Sequence, residues 1–230
     1  MMKEVGINTD DCFVIISVCP ALFFIKFPYV GMVFNSLYFG KYVKINSEIY
    51  FLEKNLSIDD YRPTFVVEAV YDLRADDLLR RGIHAVLVDL DNTLIAWNNP
   101  DGTPEVRAWL DEMTMADISV VVVSNNKHSR VNRAVSRFGV DFVSRAMKPF
   151  TRGINMAIKR YGFDRDEVIM VGDQLMTDIR AAHRADIQSV LVKPLVTSDA
   201  WNTKINRWRE RRVWAKLEEK YGKIQYQKGI

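Results

Sequence analysis

The chain has 230 residues, enough for one α/β domain with appendages, and a net charge of only +3 at pH 7. That balance argues against a nucleic acid held over the whole surface. The two cysteines, Cys12 and Cys19, both lie near the start, which excludes a disulfide framework or a thiolate metal site in the rest of the chain.

Residues 1–55 read as an N-terminal extension. Residues 1–51 carry 4 basic and 4 acidic residues and hold 7 of the 12 Phe. Cys12 to Ile25 is an apolar run broken by Pro20 and ended by Lys26. It is shorter than the about 20 apolar residues that a membrane span needs. Glu4, Asp10 and Asp11 precede it, against Lys3, which is not the basic start of a signal peptide. Three readings stand: a short membrane anchor, a small packed extension, or a stretch that is not part of the natural protein.

From Tyr61 the chain looks like a folded domain. Arg62-Pro63 is an extended or turn dipeptide. Val66 to Tyr71 reads as a short strand or a turn of helix. Asp72 to Arg81 predicts a helix, with acids early and Arg80 and Arg81 late as the helix dipole prefers, stopped by Gly82. Ile83 to Val88 is a buried, parallel-type strand. Asn92 to Gly102 is a loop rich in Asn, Pro and Gly, too short for a large inserted domain. Thr103 and Pro104 then open a helix whose Val106, Trp109, Leu110 and Met113 share a buried face. Strand Ile118–Val123 follows, then a helix opened by Asn125-Asn126 with Val131, Val135 and Phe138 inward. Next come strand Val140–Ser144, helix Phe150–Tyr161, strand Val168–Val171, helix Leu175–Ala185 and strand Ser189–Val192. This alternation means a parallel sheet with right-handed crossovers. Asp186 stands at the turn after the last of these helices, where Asp tolerates a left-handed backbone. His84, His128 and His183 share no ligand spacing and read as a strand residue and two surface helix residues.

Chemistry concentrates at strand ends. On an extended strand Asp89 and Asp91 share one face while Leu90 points away. Two carboxylates at the carboxyl end of a central strand sit where open α/β sheets bind ligands. Their repulsion is costly unless a cation or a shared proton offsets it. Ser124 ends the run Val120–Val123, Lys148 precedes Pro149, and Gly172-Asp173-Gln174-Leu175-Met176-Thr177-Asp178 follows the fourth strand.

Asp89-Leu90-Asp91-Asn92-Thr93 resembles motif one, DxDx(T/V), of the haloacid dehalogenase phosphatases. Ser124, Lys148 and the GDxxxxD run from Gly172 to Asp178 resemble the remaining motifs, in order. Trp97-Asn98-Asn99-Pro100, Val123-Ser124-Asn125-Asn126 and Gly172-Asp173-Gln174 further resemble the YqeG-type branch of class III A. That likeness covers roughly residues 56 to 230. It begins near Leu56, where Leu could stand for a non-ATG start codon, so the third reading of residues 1–55 is favoured.

The resemblance implies an α/β, Rossmann-like fold with a five-stranded parallel sheet in the order 5-4-1-2-3, helices on both faces and no large cap domain. It implies a catalytic domain over 56–200, with Mg²⁺ as cofactor. Asp89 would be the nucleophile, forming an acyl phosphate that splits the reaction into two steps. Asp91 would be general acid and then base. Asp89, the main-chain carbonyl of Asp91, Asp173 and Asp178 would hold the metal, since oxygen ligands suit Mg²⁺. Lys148 would neutralise charge, and Ser124, the backbone N–H of Asn125 at a helix N-terminus, and Thr93 would bind phosphate. YqeG-type proteins resemble mitochondrial phosphatidylglycerophosphate phosphatases, so that lipid head group is the leading substrate, with a soluble phosphorylated metabolite as its rival. A cytoplasmic location follows, with any membrane attachment peripheral.

Residues 201–230 form a basic, aromatic tail with 9 basic and 3 acidic residues, helical over Trp201–Lys223. The favoured reading is a helix packed back on the domain. A helix lying on anionic membrane is the second. The third is a grip on RNA or a ribosome-associated protein, with phosphatase activity secondary.

Overall fold

The computed structural model describes residues 57–96, 99, 102–196 and 204–230, with side chains in the last stretch from residue 210, and the backbone of two strands near the start. The chain divides into two units, Met1–Leu56 and Ser57–Ile230. In the first, β1 (Phe13–Val18) and β2 (Ala21–Lys26) pair as an antiparallel hairpin, so the apolar run is two strands on either side of Pro20. The other expectations for residues 1–55 lie outside the described residues.

The second unit is built on a parallel sheet. Its strands are β3 (Phe65–Val67), β4 (Ala85–Val88), β5 (Ser119–Val123), β6 (Asp141–Val143), β7 (Val168–Gly172) and β8 (Gln188–Val192), in the order β3-β8-β7-β4-β5-β6. The last five reproduce the predicted order 5-4-1-2-3. The count of five is corrected to six, because β3 adds at the edge beside β8. Three residues are too few to show a period of two, and only the ladder partner defines the strand. β4 and β7, at the centre, are buried along their whole length.

Helices cover both faces. On one side α1 (Ala75–Arg80), α2 (Pro104–Met115) and α3 (His128–Val135) pack with Val86, Val88, Val122 and Val171. On the other, α4 (Arg152–Tyr161) and α5 (Arg180–Arg184) pack with Leu87, Val121, Val123 and Met170. The alternation of each strand thus feeds two cores. Trp109 is core, as its spacing predicts, and its indole N–H donates to the Leu73 carbonyl at 2.8 Å.

Three boundaries differ from expectation. The helix predicted from Asp72 begins at Ala75, because Val70–Asp72 is a separate 3₁₀ turn in which the Asp72 carboxylate accepts from Ala69 N–H. Thr103 occupies the N-cap of α2, but its side chain makes no capping hydrogen bond. The helix expected from Asn125-Asn126 starts at His128, with Lys127 at its N-cap. Asp186 does take a left-handed backbone, with φ 55°.

The tail packs on this unit. α6 (Lys204–Tyr221) buries Leu217 completely, against Tyr61, Leu175, Ile179 and Leu191. Trp214 stacks on Tyr226 with ring centroids 6.0 Å apart. Beyond α6 the chain reaches the outer edge of β3, where Glu68 N–H donates to Gln227 C=O and Gln227 N–H to Val66 C=O, both at 3.0 Å. Among the described residues no helix is long and apolar enough to cross a membrane. Leu217→Ala should therefore cost about 2–5 kcal/mol of stability, as for other fully buried leucines. A lowered midpoint in urea unfolding checks this; an unchanged midpoint would mean that α6 does not pack as described.

Candidate active site

The carboxyl ends of β4, β5 and β7 and the loop after β6 converge. Asp89 continues β4 by one residue, its N–H donating to Val171 C=O at 2.9 Å, and is only 8% exposed. Asp173 follows β7, Ser124 follows β5, and Lys148 comes from the loop between β6 and α4. Lys148 Nζ lies 2.5 Å from Asp89 Oδ1 and 2.7 Å from Asp178 Oδ1. One carboxylate oxygen each of Asp89, Asp173 and Asp178 lies within 4.8 Å of the others. These are hard oxygen donors facing a single ammonium, so the cluster fits a hard divalent cation.

The backbone after β7 is shaped for this. The predicted helix from Leu175 starts instead as a π turn, Leu175–Ile179, before α5 begins. Wide π turns occur often at functional sites. Here the turn places Asp178 over Gly172: a Cβ at residue 172 would lie 2.3 Å from the Asp178 carboxyl carbon. Asp178 Oδ2 also accepts from Gln174 N–H at 3.1 Å. The first N–H of the turn, that of Leu175, donates to Glu210 Oε1 of α6 at 2.7 Å.

The remaining predicted residues fall around this core. Thr93, almost fully buried, directs its hydroxyl at Asp173 Oδ1, 3.4 Å away, and so props an acid of the cluster. Ser124 Oγ accepts from the N–H and the side-chain amide of Asn126, each at 3.2 Å, which leaves its own proton to donate. Asn125 is not at a helix N-terminus, because α3 starts three residues later. Its side-chain amide instead clamps the Lys148 backbone both ways, accepting from N–H at 2.7 Å and donating to C=O at 3.0 Å. β4 ends at Val88, so strand alternation does not extend to Asp91, which sits in the turn bridged to Ile95. Its carboxylate accepts from the Asn126 amide and from Arg130 Nη2, the latter at 2.6 Å. Trp97 and Asn98 of the loop Asn92–Gly102 lie outside the described residues.

Sequence reasoning missed Asn126, Arg130, Glu210 and Gly153. Asn126 stands in the YqeG-like stretch after Ser124, but that likeness gives it no role in the site, and Arg130 matches no motif residue. Glu210 lies in a segment with no recognisable link to the site. Gly153 in α4 faces Ala146: a Cβ there would lie 2.7 Å from Ala146 Cα. The loop carrying Lys148 rests on that contact.

Burial raises Asp89 to about 6, with Asp178 and Asp91 adding to the shift and Lys148 opposing it. Asp173 is raised well above the usual carboxylate range, by burial first and then by Asp178 and Asp89. Burial works against the charge on Lys148, but Asp178 and Asp89 outweigh it and raise its pKa. Without a cation, folded Asp89 holds its proton to a higher pH than the unfolded carboxyl, whose ordinary value is 3.8. Ionising Asp89 therefore opposes folding, and this penalty grows from about pH 4 to about pH 6 and stays above it. In chelator, Asp89→Asn should unfold at a higher temperature than wild type at pH 7, with the gap closing toward pH 4. A gap independent of pH would refute the burial of that charge. Gly153→Ala should cost about 1–3 kcal/mol by overpacking, although Ala normally favours a helix. Urea unfolding measures it.

A model of the haloacid dehalogenase-like hydrolases matches residues 37–186, beginning upstream of residue 56. A Bacillus subtilis (strain 168) protein named Probable phosphatase YqeG is 33% identical over 167 residues, 73% of this chain and 96% of its own length. Among solved structures, a HAD superfamily (subfamily III A) hydrolase from Legionella pneumophila shares 17% identity, with 43% of this chain and 60% of its own covered and a TM-score of 0.33. The cobalt-bound deoxy-D-mannose-octulosonate 8-phosphate phosphatase of Haemophilus influenzae shares 16% identity, with 56% and 77% covered and a TM-score of 0.39. The chain belongs to the haloacid dehalogenase-like hydrolases, and it is a phosphatase of that family.

Proposed function

We propose that the chain is a Mg²⁺-dependent phosphomonoester phosphatase that works through an aspartyl phosphate on Asp89. The observation that carries this is Lys148, held between Asp89 and Asp178 beside Asp173. Asp89, Asp173, Asp178 and the main-chain carbonyl of Asp91 would hold the cation, which supplies charge neutralisation at the phosphoryl oxygens. Asp89 attacks phosphorus, and Lys148 balances charge on both the nucleophile and the transferred group. Ser124 Oγ–H and the backbone N–H of Asn125 donate to the phosphoryl oxygens as charge spreads over them. Thr93 serves by holding Asp173. Asp91 protonates the leaving oxygen, then takes a proton from the water that cleaves the acyl phosphate.

The leading substrate is the phosphatidylglycerophosphate head group. This finer reading rests on the resemblance of YqeG-type proteins to mitochondrial enzymes acting on that lipid. A soluble phosphorylated metabolite is the rival within the same chemistry. Membrane work would be peripheral, and residues Arg207 and Arg209 of the tail lie outside the described side chains. Binding of RNA or a ribosome-associated partner by the tail finds no specific support.

Asp89→Asn should lose turnover by roughly 10⁴-fold or more, as when other covalent nucleophiles are removed, while remaining folded. Beryllofluoride, a mimic of the aspartyl phosphate, should bind wild type and not this variant. Substantial residual turnover would remove Asp89 from its role. Asp173→Asn should shift Mg²⁺ activation to much higher concentration, and full activity in chelator would exclude a metal-dependent reaction. A panel of phosphorylated lipids and soluble esters, assayed with Mg²⁺ and with chelator, separates the two substrate classes.

A further inference from the structure

Asp91, the proposed proton donor, is already engaged. One of its oxygens accepts from the Asn126 amide and the other from Arg130, at 2.6 Å. Each oxygen keeps a second lone pair, so these bonds do not block it, but they fix where the carboxylate points, and a turn toward a leaving oxygen loosens at least one of them. Of the two partners, Asn126 is anchored, since its amide also donates to Ser124 Oγ at 3.2 Å. Arg130 reaches in from the first turn of α3 with its side chain 48% exposed, so a ligand entering from solvent meets it first.

The surroundings favour an anion there. Residues 124–137, the loop after β5 and α3, hold 4 Lys and Arg and no acid. α3 has no acid in its first turn. A guanidinium presents a planar fork that suits a carboxylate or a phosphate equally well. A substrate group of that kind could take the place that Asp91 holds.

We propose that Arg130 is a specificity residue that binds a second acidic group on the substrate, and that this exchange releases Asp91 toward the leaving oxygen. The inference rests on the phosphatase reading and adds a substrate class to it: phosphomonoesters that carry a carboxylate or a phosphodiester a few bonds from the ester. The Asn126 bond keeps Asp91 on one anchor while Arg130 changes partner. A substrate with no second anion leaves Arg130 on Asp91 and turns over more slowly.

Three alkyl esters with similar leaving groups test this in the full chain with Mg²⁺. Glycerol 3-phosphate has no second acid, 3-phosphoglycerate adds a carboxylate, and glycerophosphoglycerol phosphate adds a phosphodiester. Wild type should prefer at least one of the last two in kcat/KM, and which one identifies the acidic group. Arg130→Gln should lose about 10- to 100-fold on the preferred ester, the worth of one charged hydrogen bond. On glycerol 3-phosphate it should be at least as fast as wild type, because Arg130 no longer holds Asp91 there. Arg130→Lys should recover part of the loss. Equal loss on all three esters would make Arg130 a mere support for Asp91 and overturn the proposal, as would no loss on any, or a wild type without preference. If wild type hydrolyses none of the three or any other phosphomonoester, the phosphatase reading fails as well; hydrolysis with a variant that keeps the wild-type preference overturns the role of Arg130 alone.

Discussion

One ammonium group holds the site together. Lys148 is buried, and burying a charge costs several kcal/mol unless close partners offset it. Asp89 and Asp178 are those partners, at 2.5 and 2.7 Å. The arrangement is over-supplied with negative charge, because Asp173 stands in the same cluster. A protein that only needed stability would place apolar groups there. Much of the neighbouring structure exists to fix these charges. Asn125 clamps the Lys148 backbone, Gly153 lets α4 approach the loop that carries it, and Gly172 lets Asp178 lie against β7.

This arrangement links the tail to the chemistry. Glu210 of α6 satisfies the first N–H of the π turn, and so secures the segment that aims Asp178. Glu210 also adds negative charge near Asp173 and contributes to the rise in its proton affinity. A helix that looks like an appendage by composition is part of the wall behind the acidic cluster. Leu217, Val213 and Trp214 of α6 pack with Leu175, Ile179 and Leu191.

How much of this was legible depended on whether local pattern or long-range contact decided each feature. Strands β4 to β8 announced themselves as apolar runs, and their order came with the family resemblance. Asp89, Asp173 and Ser124 stand at or just beyond strand ends, and Lys148 and Asp178 came with the motifs that the family resemblance supplied. The stretch of β3 read as a short strand or a turn of helix, but its place in the sheet was not legible, because its partner β8 lies 125 residues away. The π turn was not legible either, since its spacing of apolar residues reads as an ordinary helix. Asn125 was found but misread: as a loop residue it uses its side chain on Lys148. Arg130 and Glu210 carry no local signal, because an exposed Arg and a helical Glu are ordinary on any surface.

The pairing of Gln227 with Val66 and Glu68 joins the last stretch of the chain to the first strand of the sheet. On a ribosome the chain emerges from its N-terminal end, and contacts distant in sequence form last. β3 is made early, yet its outer edge stays uncovered until residue 227 has cleared the exit tunnel. The same holds for the apolar pocket that receives Leu217. The nascent domain therefore completes this edge only once residue 227 has emerged, and until then it presents an open strand edge that another chain could pair with.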